Sequence, residues 1–222
     1  MRISLIGMAG SGKSYWSKKL AQHGFRRFCC DDLIAAKLAP DLTGPDGTTM
    51  EMGTWVGFPY ERHYTKHEST YLTYEIEVLI EILEYLESHK NTLGENIVVD
   101  TTGSVIYTGE EILQKLCRYT TVICLLTPPE VQEQLLNAYI SKPHPMLWRD
   151  SFSKKPGETN QEALARCYPQ LLSARERLYA RYADVEIDYY RRNEKGFTVT
   201  DFLHVVQEVS KKSAVDSLKG YH

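Results

Sequence analysis

This 222-residue chain is short of cysteine, of long apolar runs and of excess charge of either sign. Its five cysteines, Cys29, Cys30, Cys117, Cys124 and Cys167, form an odd set without a C-x-x-C pair. That argues against a disulfide framework and against a zinc site. Cys29 and Cys30 are adjacent and read as thiols at the end of a buried strand. No apolar run approaches the roughly 20 residues that span a bilayer. The first, residues 3–8, runs straight into a glycine loop, so an unprocessed chain without a membrane partner is expected. With 26 Lys and Arg against 29 Asp and Glu, no broad basic surface exists for the counterion release that drives general nucleic-acid binding. The expectation is a soluble, cytoplasmic protein, monomeric or weakly dimeric, with no nucleic-acid partner. A hydrophobic content of 42% suffices for a core. One domain is expected over about residues 1–210, with a loose tail over 211–222.

What the chain does contain is an ordered alternation. Residues 2–6 read as a short apolar strand, 7–14 (GMAGSGKS) as a tight loop fitting G-x-x-x-x-G-K-[ST], and 15–22 as a helix. FRRFCCDD reads as a second strand ending in two acids, followed by a helical LIAAKLA. Residues 40–57, rich in Pro, Gly and Thr, read as an irregular excursion, the start of a substrate-side insert over about 40–74. Leu72, Ile76, Leu79, Ile80, Leu83 and Leu86 give one long helix within about 60–89. NIVVD is a third strand, residues 110–117 a helix, TTVICLLT a central apolar strand, and residues 128–140 a helix. The polar, proline-interrupted residues 141–160 read as a mobile lid. A helix over about 161–181, a strand VEIDYY and a last helix using Phe202, Val205, Val206 and Val209 follow. Alternating strands and helices predict an α/β fold, a parallel sheet flanked by helices on both faces, with ligands at the carboxyl ends of the strands.

The loop carries the chemistry. Between a strand and a helix, its backbone N–H groups and the helix amino end hold phosphates, Lys13 meets the β and γ oxygens, and Ser14 offers a hydroxyl to Mg²⁺. Gly7, Ala9, Gly10, Ser11, Gly12, Lys13, Ser14 and Tyr15 are therefore the candidate nucleotide-binding set, with ATP and Mg²⁺ as expected cofactors. Phosphoryl transfer needs positioning and charge neutralisation, which directs attention to the neighbouring strand ends. Asp31 or Asp32 could accept the proton of an attacking hydroxyl, or simply cap the following helix. Asp100 ends the third strand, where it could hold a magnesium water or form the turn in DTTG.

Taken in order, GMAGSGKS, the acid after strand two, TTGSV, PPE, PHPML and RERLYARYADVEID resemble shikimate kinase and its close small-molecule kinase relatives, from about residue 1 to residue 190. The resemblance implies the P-loop kinase fold and ATP-dependent transfer of a phosphoryl group to a hydroxyl of a small anionic metabolite. It puts Asp31 on the acid that contacts the acceptor hydroxyl, and Thr101, Thr102 and Gly103 on the substrate-lining triplet. It puts Arg175 on the arginine that grips a carboxylate, unless that side chain is an exposed helix arginine. Arg62 falls in the segment that carries another substrate arginine, without aligning well, and Asp32 stands beside the catalytic acid.

Departures accompany the matches. An earlier acid of the family falls on Cys29, which would leave magnesium to Ser14 and Asp100. The lid arginine falls on His144, leaving Arg149 or Lys142 to supply charge. The insert crowds Trp55, Phe58, Tyr60, Tyr64, Tyr71 and Tyr74 together, either as packing or as a pocket wall for a larger or more aromatic substrate. His63 and His67 lack an evident third ligand. Two alternatives stay open: a kinase of nucleotides or nucleic-acid ends, and a nucleotide-binding protein without turnover.

Overall fold

The computed structural model of the chain describes residues 1–90 and 94–208. The expected tail and Val209 lie outside the described residues. Five parallel strands form one sheet in the order β2-β3-β1-β4-β5: β1 (Arg2–Ile6), β2 (Phe25–Cys29), β3 (Asn96–Asp100), β4 (Thr121–Leu125) and β5 (Val185–Ile187). Among the described residues the α-helices around them include α1 (Lys13–Gln22), α2 (Cys30–Leu42), α3 (Met52–Val56), α4 (Tyr64–Ser88), α5 (Glu110–Tyr119), α6 (Gln132–Ser141), α7 (Asn160–Tyr182) and, after the last strand, α8 (Tyr189–Arg192). Another, α9, is helical over 199–208.

The pleat sends successive strand residues to opposite faces. Ile3, Leu5, Val98, Ile123 and Leu125 pack with Trp16 and Leu20 of α1 and with Val199, Phe202, Val205 and Val206 of α9. Ile6, Ile97, Val99, Val122 and Cys124 pack on the other face with α2, α4 and α7. Both faces being covered explains why β3 and β4 read as unbroken apolar runs.

Three local expectations change. The second strand ends at Cys29, and Cys30 opens α2. Asp31 and Asp32 therefore stand in a helix first turn, where carboxylates suit the free N–H groups, rather than at a strand end. Residues 40–57 are only partly irregular, because α2 runs through Pro40 to Leu42 and α3 follows a Thr43–Thr49 bridge. Tyr189 and Tyr190, read as strand, belong to α8, which Asp188 caps through Tyr190 N and Arg191 N.

Part of the segment expected to form a lid is packed in the structure. Met146, Leu147 and Trp148 are buried, the last two completely. The Tyr64 hydroxyl accepts from Trp148 N at 2.7 Å and lies within donating distance of Glu68 Oε1 (2.7 Å) and Met146 O (2.9 Å). Glu68 Oε1 also accepts from Arg149 N at 2.9 Å. Composition alone hid this, because the peg is a tyrosine 84 positions away in sequence.

Candidate active site

Three strand ends converge beside the glycine loop. From β1 comes the loop itself, in which Gly12 caps α1 with φ 96°, a left-handed conformation that costs glycine least. Gly7 has a second constraint, since a Cβ there would lie 2.8 Å from Leu125 O. Lys13 is buried and donates to Gly7 O (2.8 Å) and Met8 O (2.9 Å), which holds its ammonium over the loop. Burial pushes the Lys13 pKa down, opposed by the charges of Asp31 and Asp100.

From β2 and α2 comes Asp31, half-buried, with Oδ1 accepting from the Tyr71 hydroxyl at 3.4 Å. Burial raises the Asp31 pKa above the usual carboxylate range, Lys13 opposes the rise, and Asp100 adds to it. After β3 comes the turn Thr101–Thr102–Gly103. Thr101 Oγ1 donates to Leu5 O at 2.6 Å, and Thr102 Oγ1 donates to Glu75. Gly103 packs so closely on the loop that a Cβ would meet Ala9 N at 3.1 Å.

These parts share one cavity of about 400 Å³. Its floor is Ala9, Gly10, Gly12, Lys13, Ser14 and Tyr15. Asp31, Tyr71, Thr102 and Gly103 form one wall, and Met52, His144 and Pro145 complete the lining. A second cavity, of about 460 Å³, shares Gly10, Gly12 and Tyr15 with the first and adds Ser11, Trp16, Tyr189, Arg192 and Asn193. Arg192 donates to Ile187 O (2.9 Å), Ser11 O (3.1 Å) and Leu126 O (2.5 Å), tying the loop to the β4 and β5 ends.

Several candidates stand elsewhere. Asp32 is exposed, 3.7 Å from Arg27. Arg62 is exposed and outside the cavity lining. Arg149 also lies outside that lining, with Nη1 3.8 Å from Glu68 and the backbone at φ 52°. Arg175 is 2% exposed: Nη1 donates to Gly103 O (3.2 Å), Nη2 donates to Leu147 O (2.7 Å), and Nε is buried without a partner. It braces the 101–103 turn against the 146–148 segment, with two donors given to main-chain carbonyls. Asp100 is buried. Its Oδ2 accepts from Arg27 (2.6 Å) and Ser17 (2.8 Å), and Oδ1 has no partner. Of the two residues expected at magnesium, Ser14 lines the cavity, whereas Asp100 is outside the lining and pairs with Arg27 through Oδ2, its Oδ1 without a partner. His67 stacks on Trp55 at 4.1 Å and bonds Trp55 O.

Sequence reasoning missed Glu75, Met52 and Arg192. Glu75 is completely buried and accepts from Thr102 and from Ser104 (2.7 Å). An acid on the apolar face of the long helix was its available signal.

No protein-family model matches the chain, and no curated protein matches it. Solved structures do. Shikimate kinase from Acinetobacter baumannii, in complex with shikimate, superposes with a TM-score of 0.58 at 22% identity, covering 98% of this chain and 94% of that one. Shikimate kinase from Bacteroides thetaiotaomicron gives 0.57 at 18% identity over 96% and 98%. Dephospho-CoA kinase from Campylobacter jejuni gives 0.55 at 14% identity over 96% and 98%. With a five-stranded parallel sheet of order β2-β3-β1-β4-β5 and its glycine loop after β1, the chain has the P-loop kinase fold of shikimate kinase and dephospho-CoA kinase.

Proposed function

We propose that the protein transfers the terminal phosphoryl group of ATP to a hydroxyl of a small molecule, as the resemblance to shikimate kinase implies. The observation that carries this reading is the shared cavity, in which a buried lysine on a glycine loop and a carboxylate of raised pKa line the same space. The loop N–H groups and the α1 amino end suit the phosphates. The second cavity across the loop suits the nucleoside end, where Tyr15 and Tyr189 offer aromatic faces. Lys13 would exchange its two carbonyl partners for phosphate oxygens. Asp31, ionised, would accept the hydroxyl proton as the oxygen attacks, with Tyr71 fixing its orientation. Ser14 is the residue suited to magnesium, which usually keeps several waters and few protein ligands and would neutralise charge on the nucleotide when bound.

Release of ADP in the presence of ATP, Mg²⁺ and a panel of hydroxylated acids, sugars and nucleosides tests the reading. Lys13→Ala is expected to lower kcat by about 10²–10³-fold, the scale of removing one charge-stabilising donor. Asp31→Asn is expected to lower kcat by about 10²–10⁴-fold while nucleotide binding persists. The base works deprotonated, so the native rate should climb with pH through a limb above the ordinary carboxylate range, and Asp31→Asn should abolish that limb. Normal turnover in either variant contradicts the assignment.

A further inference from the structure

We infer that the acceptor is uncharged where it fills the cavity: a neutral polyol, sugar or nucleoside-like molecule rather than a hydroxy acid. This rests on the phosphoryl-transfer reading above, and it departs from the anionic acceptor that the resemblance implies.

An acid acceptor is best held by a cation with free donors, and among the described residues none lines the cavity beyond Lys13. Lys13 belongs to the loop and to the transferred phosphate. Arg62 and Lys142 are exposed and outside the lining. Arg149 lies beside Glu68, its backbone N bonded to the same carboxylate. Arg175 sits behind Gly103 with two donors given to main-chain carbonyls. Its charge reaches through the wall, yet it presents no fork for a bidentate carboxylate.

The residue at the lid position adds no charge. Burial, then the Lys13 and Arg175 charges, push the His144 pKa down to about 4, which leaves the imidazole neutral at neutral pH. Asp31 lines the same cavity, so a carboxylate acceptor would set two acidic groups side by side in a confined space. What the wall does offer is the Asp31 carboxylate and the Tyr71 hydroxyl for acceptor hydroxyls, with apolar surface from Met52 and Pro145 for a ring face.

The roof is also already seated. A Cβ on Gly53 of α3 would lie 2.1 Å from Pro143 O and 2.6 Å from His144 Cα, so α3 and the lid touch backbone to backbone. The backbone at Arg149 is also held in place, through its own N–H to Glu68 and through the Trp148 N–H to the Tyr64 hydroxyl.

The test uses acceptor pairs that differ only in charge, such as shikimate with its methyl ester and other hydroxy acids with their amides, alongside neutral polyols and nucleosides. Transfer of labelled γ-phosphate from ATP is measured for each. The neutral member of a pair is expected to have the higher kcat/KM by about tenfold or more, in line with the cost of apposed like charges. Met52→Lys, which adds a cation to the lining, is expected to move the ratio towards the acid by about tenfold. Equal or better use of the acids by the native protein overturns the inference while leaving the kinase reading standing. A ratio unmoved by Met52→Lys overturns it too, because the acceptor then lies away from that wall. Nucleotide binding with transfer to no acceptor at all removes the kinase reading and this inference with it.

Discussion

Glu75 shows what one buried acid does to the whole protein's pH response. Burial pushes its pKa up to about 7, the Thr102 and Ser104 hydroxyls pull it down, and Asp31 pushes it up. In the unfolded chain the value returns towards 4.5. Between those limits the folded state binds more protons than the unfolded one, so stability present below pH 4.5 is lost as pH rises through about 7. The 2.5-unit interval between the two values corresponds to about 3 kcal/mol. Glu75→Gln removes the charge and keeps one acceptor oxygen, while its amide NH₂ donates to the other hydroxyl, which must turn to accept. Its expected effect is a flatter stability curve, with the variant more stable than the native chain at pH 8 by about that amount. Denaturant titrations at pH 5 and pH 8 measure it, and a variant less stable at both would show that the carboxylate contributes more than its ionisation costs.

The same residue marks how far a sequence speaks at this scale. Lys13 and Ser14 were legible from a short contiguous motif, Thr102 and Gly103 from the end of β3, and Asp31 from its place just after β2, although it stands in the first turn of α2; all five line one cavity. Arg175 was legible as a residue to single out but not in its partners. Whether a guanidinium meets a ligand or two main-chain carbonyls depends on where Gly103 and Leu147 stand, and no spacing in the sequence encodes that.

Among the elements, the sheet and its long helices were the readable part. Apolar runs and 3.6-residue periodicity are local properties, so β1, β3 and β4 could be read directly from short apolar runs and α4 from its apolar spacing. The roof of the cavity was not readable in the same way. α3 is five residues long, and what seats it is the absence of a side chain at Gly53 opposite Pro143 and His144. Replacing a helical glycine by alanine ordinarily gains up to about 1 kcal/mol in helix propensity. Here a contact of 2.1 Å with backbone cannot be relieved by a rotamer change, so steric cost should win by about 1–3 kcal/mol. Gly53→Ala is expected to lower Tm by a few degrees and to raise the KM for the acceptor more than that for ATP. A rise in Tm would mean that α3 and the lid separate without penalty.

At the scale of the molecule, the decisive arrangement is a loop with a cavity on either side of it. Gly10, Gly12 and Tyr15 border both, Lys13 faces one, and Arg192 braces the other against β4 and β5. A single ligand lying across the loop would meet the start of α1, whose Trp16 and Leu20 are in the core shared with α9. Binding that engages only the folded chain raises its stability by mass action, by about 2.7 kcal/mol at a hundredfold excess over Kd. For a chain of this length that amounts to roughly 5–10 °C in Tm. ATP with Mg²⁺ should therefore produce such a shift in a thermal melt. Lys13→Ala should reduce it sharply, since the buried ammonium over the loop is the charge nearest the phosphates. Asp31→Asn should leave it nearly intact, because Asp31 stands on the acceptor wall of one cavity and borders none of the other. Loss of the shift in Asp31→Asn equal to that in Lys13→Ala would place nucleotide and carboxylate in direct contact and move the acceptor out of the wall assigned to it.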